Sequence, residues 1–131
     1  MDQTLALNFC PFRSPDWKSL VNQTESIRFS QRMWARILEI VEPQVIVCLG
    51  GEPADYLDPV LRARGARPTG PEARHSSGWG SVTYGVRRYT TARHELTMVR
   101  LPHLSRFRIF GRPESHHATS AIVDTISAAL R

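Results

Sequence analysis

The sequence predicts an α/β fold, a three-layer α/β/α sandwich around a short, mostly parallel central sheet, in a single domain covering residues 1–131. Three observations carry that expectation. Val45-Ile46-Val47-Cys48-Leu49 is apolar at every position, the pattern of a parallel strand covered on both faces rather than of an edge strand with one wet face. Apolar residues recur at helical spacing on either side of it: Met33, Trp34, Ile37, Leu38 and Val41 before, Ala54, Leu57, Val60 and Leu61 after. The connections between these segments are short, and alternating strands and helices with short turns pack as layers. A chain of 131 residues has the length of one domain and buries enough surface to need neither disulfides nor a metal.

Each element follows from its residues. Leu5-Ala6-Leu7 reads as a short buried strand that runs into a loop at Asn8-Phe9-Cys10-Pro11-Phe12, because Pro11 and Pro15 interrupt any regular element. Ser30 is placed to cap the helix that Pro43 ends. Gly50-Gly51 permits a tight turn, and Pro53 suits the opening of the next helix. Residues 65–81 are rich in Gly, Pro and Ser, carry Arg67, Arg74, His75 and Trp79, and predict a mobile loop. Residues 82–84 and 87–91 predict a short hairpin around Gly85, and residues 96–101 a last strand. Ala118, Ile122, Ile126, Ala129 and Leu130 make a C-terminal amphipathic helix.

Composition bounds the function. Two cysteines, Cys10 and Cys48, exclude a disulfide scaffold, and Cys48 inside its apolar run reads as a small buried thiol. No run approaches the ~20 apolar residues of a membrane span, and Met1-Asp2-Gln3 does not open a basic and then apolar leader. The expectation is a cytoplasmic protein without a membrane partner. The net charge of +5 is uneven: residues 1–61 hold 5 basic and 8 acidic side chains, whereas residues 62–112 hold 11 Arg against Glu72 and Glu95. Of 17 basic residues only Lys18 is not Arg. Planar guanidinium forks suit phosphate, so the basic segment predicts a polyanion face; a merely solvated face, or a genome that spells basic residues as Arg, gives the same count.

In a parallel α/β sheet, ligands gather beyond the carboxyl ends of the strands. Three such ends are the Asn8 loop, the Gly50-Gly51 turn and the Pro102-His103-Leu104-Ser105-Arg106 loop. A held Asn8 carboxamide can read the edge of a nucleobase, or it can satisfy its own backbone in a turn. His103 can donate to an anionic leaving group, or it can stand solvated.

Taken in order, these segments resemble the uracil-DNA glycosylase superfamily. Leu5-Ala6-Leu7-Asn8-Phe9-Cys10-Pro11-Phe12 looks like its base-reading strand end, in the Asn-x-Cys-Pro form of the single-strand-selective branch. Trp34-x-x-Ile37-Leu38, Pro43-x-Val45-Ile46-Val47 and Leu49-Gly50 are similar to its following helix and strand. His103-Leu104-Ser105 stands where the family has His-Pro-Ser. The resemblance implies base flipping, with Asn8 reading the uracil edge, Phe9, Cys10 or Phe12 against the base, and His103 donating to the charge that develops on the base oxygen. It implies Ser105, Arg106, Arg108 and Arg112 on the nucleic-acid backbone and Leu104 or Phe107 as a wedge in the helix.

The family pattern also has an earlier strand whose Gly-rich end carries a water-positioning Asp or Asn. Only a few residues precede Leu5, so that first strand and motif are expected to be missing, with Asp16 the carboxylate that would stand in. Two cysteines cannot supply the four thiolates of the iron-sulfur branch, and no cofactor or metal is expected. The missing strand is central in the family's sheet. Its absence predicts an open edge, repaired by direct pairing, by a homodimer or by a complementing chain. The expected function is therefore binding of single-stranded or damaged DNA by base flipping, with weak or lost N-glycosidic hydrolysis. An active uracil or damaged-base glycosylase and a non-enzymatic protein-interaction module are the alternatives.

Overall fold

The computed structural model describes residues 4–12, 14 and 16–131. They fall into two compact units, residues 1–41 and 42–131. In the first unit, residues 4–8 form no strand, and Leu5 and Leu7 are about half exposed. This corrects the expected buried strand: a run of apolar residues so short, with Pro11 close behind, has no cross-strand pairs to hold it extended. Phe9 is buried instead, its ring stacked on Trp34 and its carbonyl accepting the Trp34 Nε1–H at 2.9 Å.

Helix α1 spans Gln23–Ile40 and opens at a left-handed Asn22 with φ 51°, well before the expected cap at Ser30. Ser30 lies inside the helix, where its hydroxyl donates to the Ser26 carbonyl at 2.7 Å, and the Ser26 hydroxyl donates to the Val21 carbonyl at 3.0 Å. Buried serines that bond back to the preceding turn are tolerated in a helix, which is why the polar stretch before Met33 does not delay it. Pro43 disfavours helical backbone at the residue before it, and Val41 is already extended.

The second unit contains β1 (Val45–Leu49), α2 (Gly51–Ala63), β2 (Arg67–Pro68), β3 (Ala73–Trp79), β4 (Val82–Thr90), β5 (Glu95–Leu101), a short 3-10 turn (Pro113–Ser115) and α3 (His116–Ala129). Its sheet runs β1-β5-β4-β2, with β3 also on β4. Only β1 and β5 pair in parallel; β4 is antiparallel to β2, β3 and β5. The sheet is thus mixed rather than mostly parallel. Antiparallel neighbours need only a tight turn, and the glycines taken as loop formers serve as turns between strands. Gly80 at φ 51° turns β3 into β4, so residues 65–81 are largely β2 and β3 rather than a loop. The expected hairpin around Gly85 is one continuous strand, β4. Strand β1 lies at the end of the strand order rather than in the centre, and Val47 and Leu49 are 43% and 51% exposed.

Side chains alternate across a strand, and that alternation separates two faces. Tyr84, Val86, Val99 and Leu101 pack with Ile109 and with Ala118 and Ile122 of α3. On the opposite face, Arg87 and Tyr89 both donate to the Asp58 carboxylate of α2, which also accepts Arg62 Nε at 2.8 Å. Helix α2 buries Ala54, Leu57, Val60 and Leu61. Arg100 grips Glu72 through two hydrogen bonds, at 3.2 and 2.7 Å. Gly85 makes room for that carboxylate: a β-carbon there would lie 2.5 Å from the Glu72 Cδ.

Candidate nucleic-acid interface

The register of the parallel pair sets Leu49 opposite Leu101, so the chain leaves β1 and β5 at the same edge of the sheet. The Gly50 N–H donates to the Leu101 carbonyl at 2.9 Å, and Gly50 takes φ 103°, a conformation that costs a side chain energy and a glycine little. The first turn of α2 then meets the loop after β5. A β-carbon on Gly50 would stand 3.8 Å from the Glu52 Oε2 and 3.8 Å from the His103 Cδ2, so a carboxylate and an imidazole flank the glycine turn.

His103 is exposed, and its Nδ1 lies 2.7 Å from the Ser105 Oγ. With the hydroxyl donating, Nδ1 accepts and the ring proton sits on Nε2, where it is a free donor. The His103 carbonyl accepts the N–H groups of Arg106 and Phe107 at 3.0 and 2.8 Å, which rolls the loop into a turn and fixes the imidazole's base. His103, picked by topology beyond β5, and Ser105, which the family resemblance implies, therefore come together.

The arginines divide into two groups. Arg100 belongs to Glu72, and its side chain is only 18% exposed. Arg112 lies over the Trp79 ring, with its Cζ 4.2 Å from the centroid, and donates to Glu114 at 3.2 Å. Arg106 and Arg108 are exposed, and the ion pairs of this segment leave them out, running instead through Arg62, Arg74, Arg87, Arg93, Arg100 and Arg112. Trp79 anchors the loop rather than facing solvent: Phe107 meets it edge-on at 5.8 Å. Leu104 and Phe107, expected as the wedge, are partly buried and packed against the core cluster, a use that competes with entering a base stack.

In the first unit, Asn8 is exposed and Cys10 is half-buried. Phe9 is occupied by Trp34 and is a core residue rather than a base platform. Phe12, 48% exposed, leans on Phe29 at 5.3 Å; with Leu20 and Arg32 they line an open groove of about 430 Å³. Asp16 accepts the Ser19 N–H at 2.7 Å, and that bond holds its carboxyl below the ordinary value. It caps a local turn, a use that competes with positioning water.

Cys48 is a free, buried thiol, pushed up to about 12 by burial against a smaller opposing pull from Arg100, so it is no nucleophile near neutrality. Among the described residues, no group of three His, Cys, Asp or Glu is placed to hold a metal ion, and no helix is long and apolar enough to cross a membrane. Two residues of the second unit escaped the sequence reading. Glu52 follows the Gly50-Gly51 turn, and the strand-end rule that selects His103 applies to it equally. Phe110, 47% exposed, had no such signal, because spacing alone does not separate it from Phe107.

The second unit is thus an α/β domain whose parallel strand ends present an imidazole, a hydroxyl and a carboxylate, followed along the chain by two exposed guanidinium groups outside the ion pairs, of which Arg106 has its Cζ 5.4 Å from the Phe107 ring centroid. Comparison of the chain with protein-family models, with curated proteins and with solved structures returned no match.

Proposed function

We propose that this chain is a nucleic-acid-binding protein of the uracil-DNA glycosylase type, with a three-layer arrangement of its helices on the sheet, that flips and reads a base and has weak or lost N-glycosidic hydrolysis. The observation that carries the proposal is the edge beyond β1 and β5, where His103 with its Ser105 partner stands beside exposed Arg106 and Arg108. Guanidinium groups hold phosphate while a donor on Nε2 faces the base oxygen. A carboxamide that matches uracil meets cytosine with donor and acceptor exchanged, and the family resemblance gives that role to Asn8. The ligand is single-stranded or damaged DNA, since an unpaired base costs least to expose.

A specific observation favours a second reading, retained hydrolysis. The Glu52 Oε2 and the His103 Cδ2 both lie 3.8 Å from the place of a Gly50 β-carbon, and a carboxylate there can position water that Asp16, committed to Ser19, does not. One set of experiments tests both readings. Wild-type protein is expected to prefer uracil- over cytosine-containing single-stranded DNA by about tenfold, the worth of one well-made hydrogen bond, and Asn8→Ala to erase the preference. Equal affinity for the two oligonucleotides in the wild type contradicts base reading. Abasic sites formed by the wild type but not by His103→Ala or Glu52→Gln establish hydrolysis; a rate unchanged by both substitutions contradicts it.

A further inference from the structure

Resting on that reading, we infer that Phe110 is the residue that stacks on an unpaired base of the bound strand, being the most exposed of the aromatic and apolar side chains between β5 and the 3-10 turn. Along residues 106–110 the chain alternates: Arg106 outward, Phe107 against the core, Arg108 outward, Ile109 fully buried, Phe110 outward. Ile109 anchors the segment. Its N–H donates to the Phe107 carbonyl at 2.9 Å, and its own carbonyl accepts the Arg112 N–H at 3.4 Å. Gly111, at φ 85°, turns the chain immediately afterwards, and Arg112 is pinned over Trp79. The Phe110 ring is therefore carried on a fixed backbone while nearly half of it meets water.

A lone exposed aromatic is ordinary. Its surroundings select the occupant. No Asp or Glu occurs between Leu96 and Pro113, while Arg106 and Arg108 project on the same stretch. An uncharged protein or lipid face would bury the ring and leave two guanidinium groups without counterions, and a highly charged one would supply counterions but no flat face for the ring. A single strand supplies a planar base for the ring and phosphates for the arginines in one ligand. Base–aromatic stacking is worth about 1–3 kcal/mol, so the ring contributes affinity without contributing charge.

The test uses the full chain and a short labelled oligothymidylate, with affinity measured across a salt series. Phe110→Ala and Phe110→Leu are expected to weaken binding by roughly tenfold or more at every salt concentration without changing the slope of log K against log salt, whereas Phe110→Trp retains affinity and its added indole fluorescence is quenched on binding. Arg108→Ala lowers the slope by about 0.7. If the wild type binds and Phe110→Leu binds as tightly, the stacking role is overturned while the wider reading stands. If the wild type fails to bind at low salt, the wider reading falls and this inference with it.

Discussion

Gly78→Ala is expected to lower the melting temperature by roughly 10 °C or more, since it adds a left-handed backbone penalty of about 1–2 kcal/mol to an overpacking cost of about 1–3 kcal/mol, and each kcal/mol shifts a domain of this size by about 4–8 °C. Gly78 sits at φ 78°, and a β-carbon there would fall 2.3 Å from the Glu114 carbonyl oxygen and 2.8 Å from the Ser115 Cα. Both obstacles are backbone, so no side chain can swing away. Either β3 or the turn before α3 must move, and that turn seats Ala118 and Ile122 in the core. Gly80→Ala is the control. Its φ of 51° is also left-handed, yet nothing lies within 4 Å of the added carbon, so only the backbone penalty of about 1 kcal/mol applies. Thermal denaturation followed by circular dichroism checks the pair; equal shifts would show that the close approach to Glu114 does not limit the fold.

Asp58→Ala is expected to destabilise the second unit by about 2–3 kcal/mol, toward the lower end of what breaking a buried ion pair costs because water still reaches the site. The carboxylate accepts from Arg87, Tyr89 and Arg62, its side chain is 16% exposed, and Arg87 Nε already has no partner. Removing Asp58 leaves a largely buried guanidinium and a fully buried phenol against α2 with nothing to accept from them. Burial works to raise the Asp58 carboxyl, but the hydrogen bonds from Tyr89, Arg62 and Arg87 outweigh it and hold it below its ordinary value of 3.8. Hydrogen bonding from Arg100 likewise holds Glu72 below 4.5, against burial. Folded values lie below unfolded ones, so as pH falls the unfolded chain takes up protons first. The stabilisation is complete above the ordinary values of 4.5 and 3.8 and is lost as pH drops through the lower folded values. Urea midpoints of wild type and Asp58→Ala should therefore differ most near neutrality and converge at acid pH. A gap independent of pH would contradict a charged Asp58 at the centre of the network.

Parts of this arrangement are legible in the residues and parts are not. The apolar run at Val45 to Leu49, the helix after Gly50-Gly51, the strand ending at Leu101 and the C-terminal helix all stand where local pattern puts them, because each carries enough apolar residues at one period to determine its state. Mixed rather than parallel pairing is not legible, since it rests on the antiparallel placement of β4 between β5 and β2, and β3, whose Ala73-Arg74-His75-Ser76-Ser77-Gly78-Trp79 has almost no β-branched or apolar residues, gives no sign of being a strand. Neighbours impose its extended form: Ser77 is fully buried, and its hydroxyl donates to the Val82 carbonyl at 2.6 Å. Leu5-Ala6-Leu7 misleads in the opposite direction, being apolar without a partner strand. At the site, the strand-end rule is enough to select Asn8, His103 and the Gly50 turn, whereas Ser105 comes only from the family resemblance. Which aromatic of Phe107 and Phe110 is free depends on packing against Trp79 and the core, and no one-dimensional pattern carries that.

The most direct test is the affinity of the chain for single-stranded DNA as a function of salt, measured for the wild type and for the Arg106→Ala/Arg108→Ala double variant. Log K is predicted to fall linearly with log salt, with a slope shallower in the double variant by about 0.7 for each phosphate contact removed. A complex indifferent to salt, or one whose slope survives the loss of both arginines, would contradict the assignment of this sheet edge to a nucleic-acid strand.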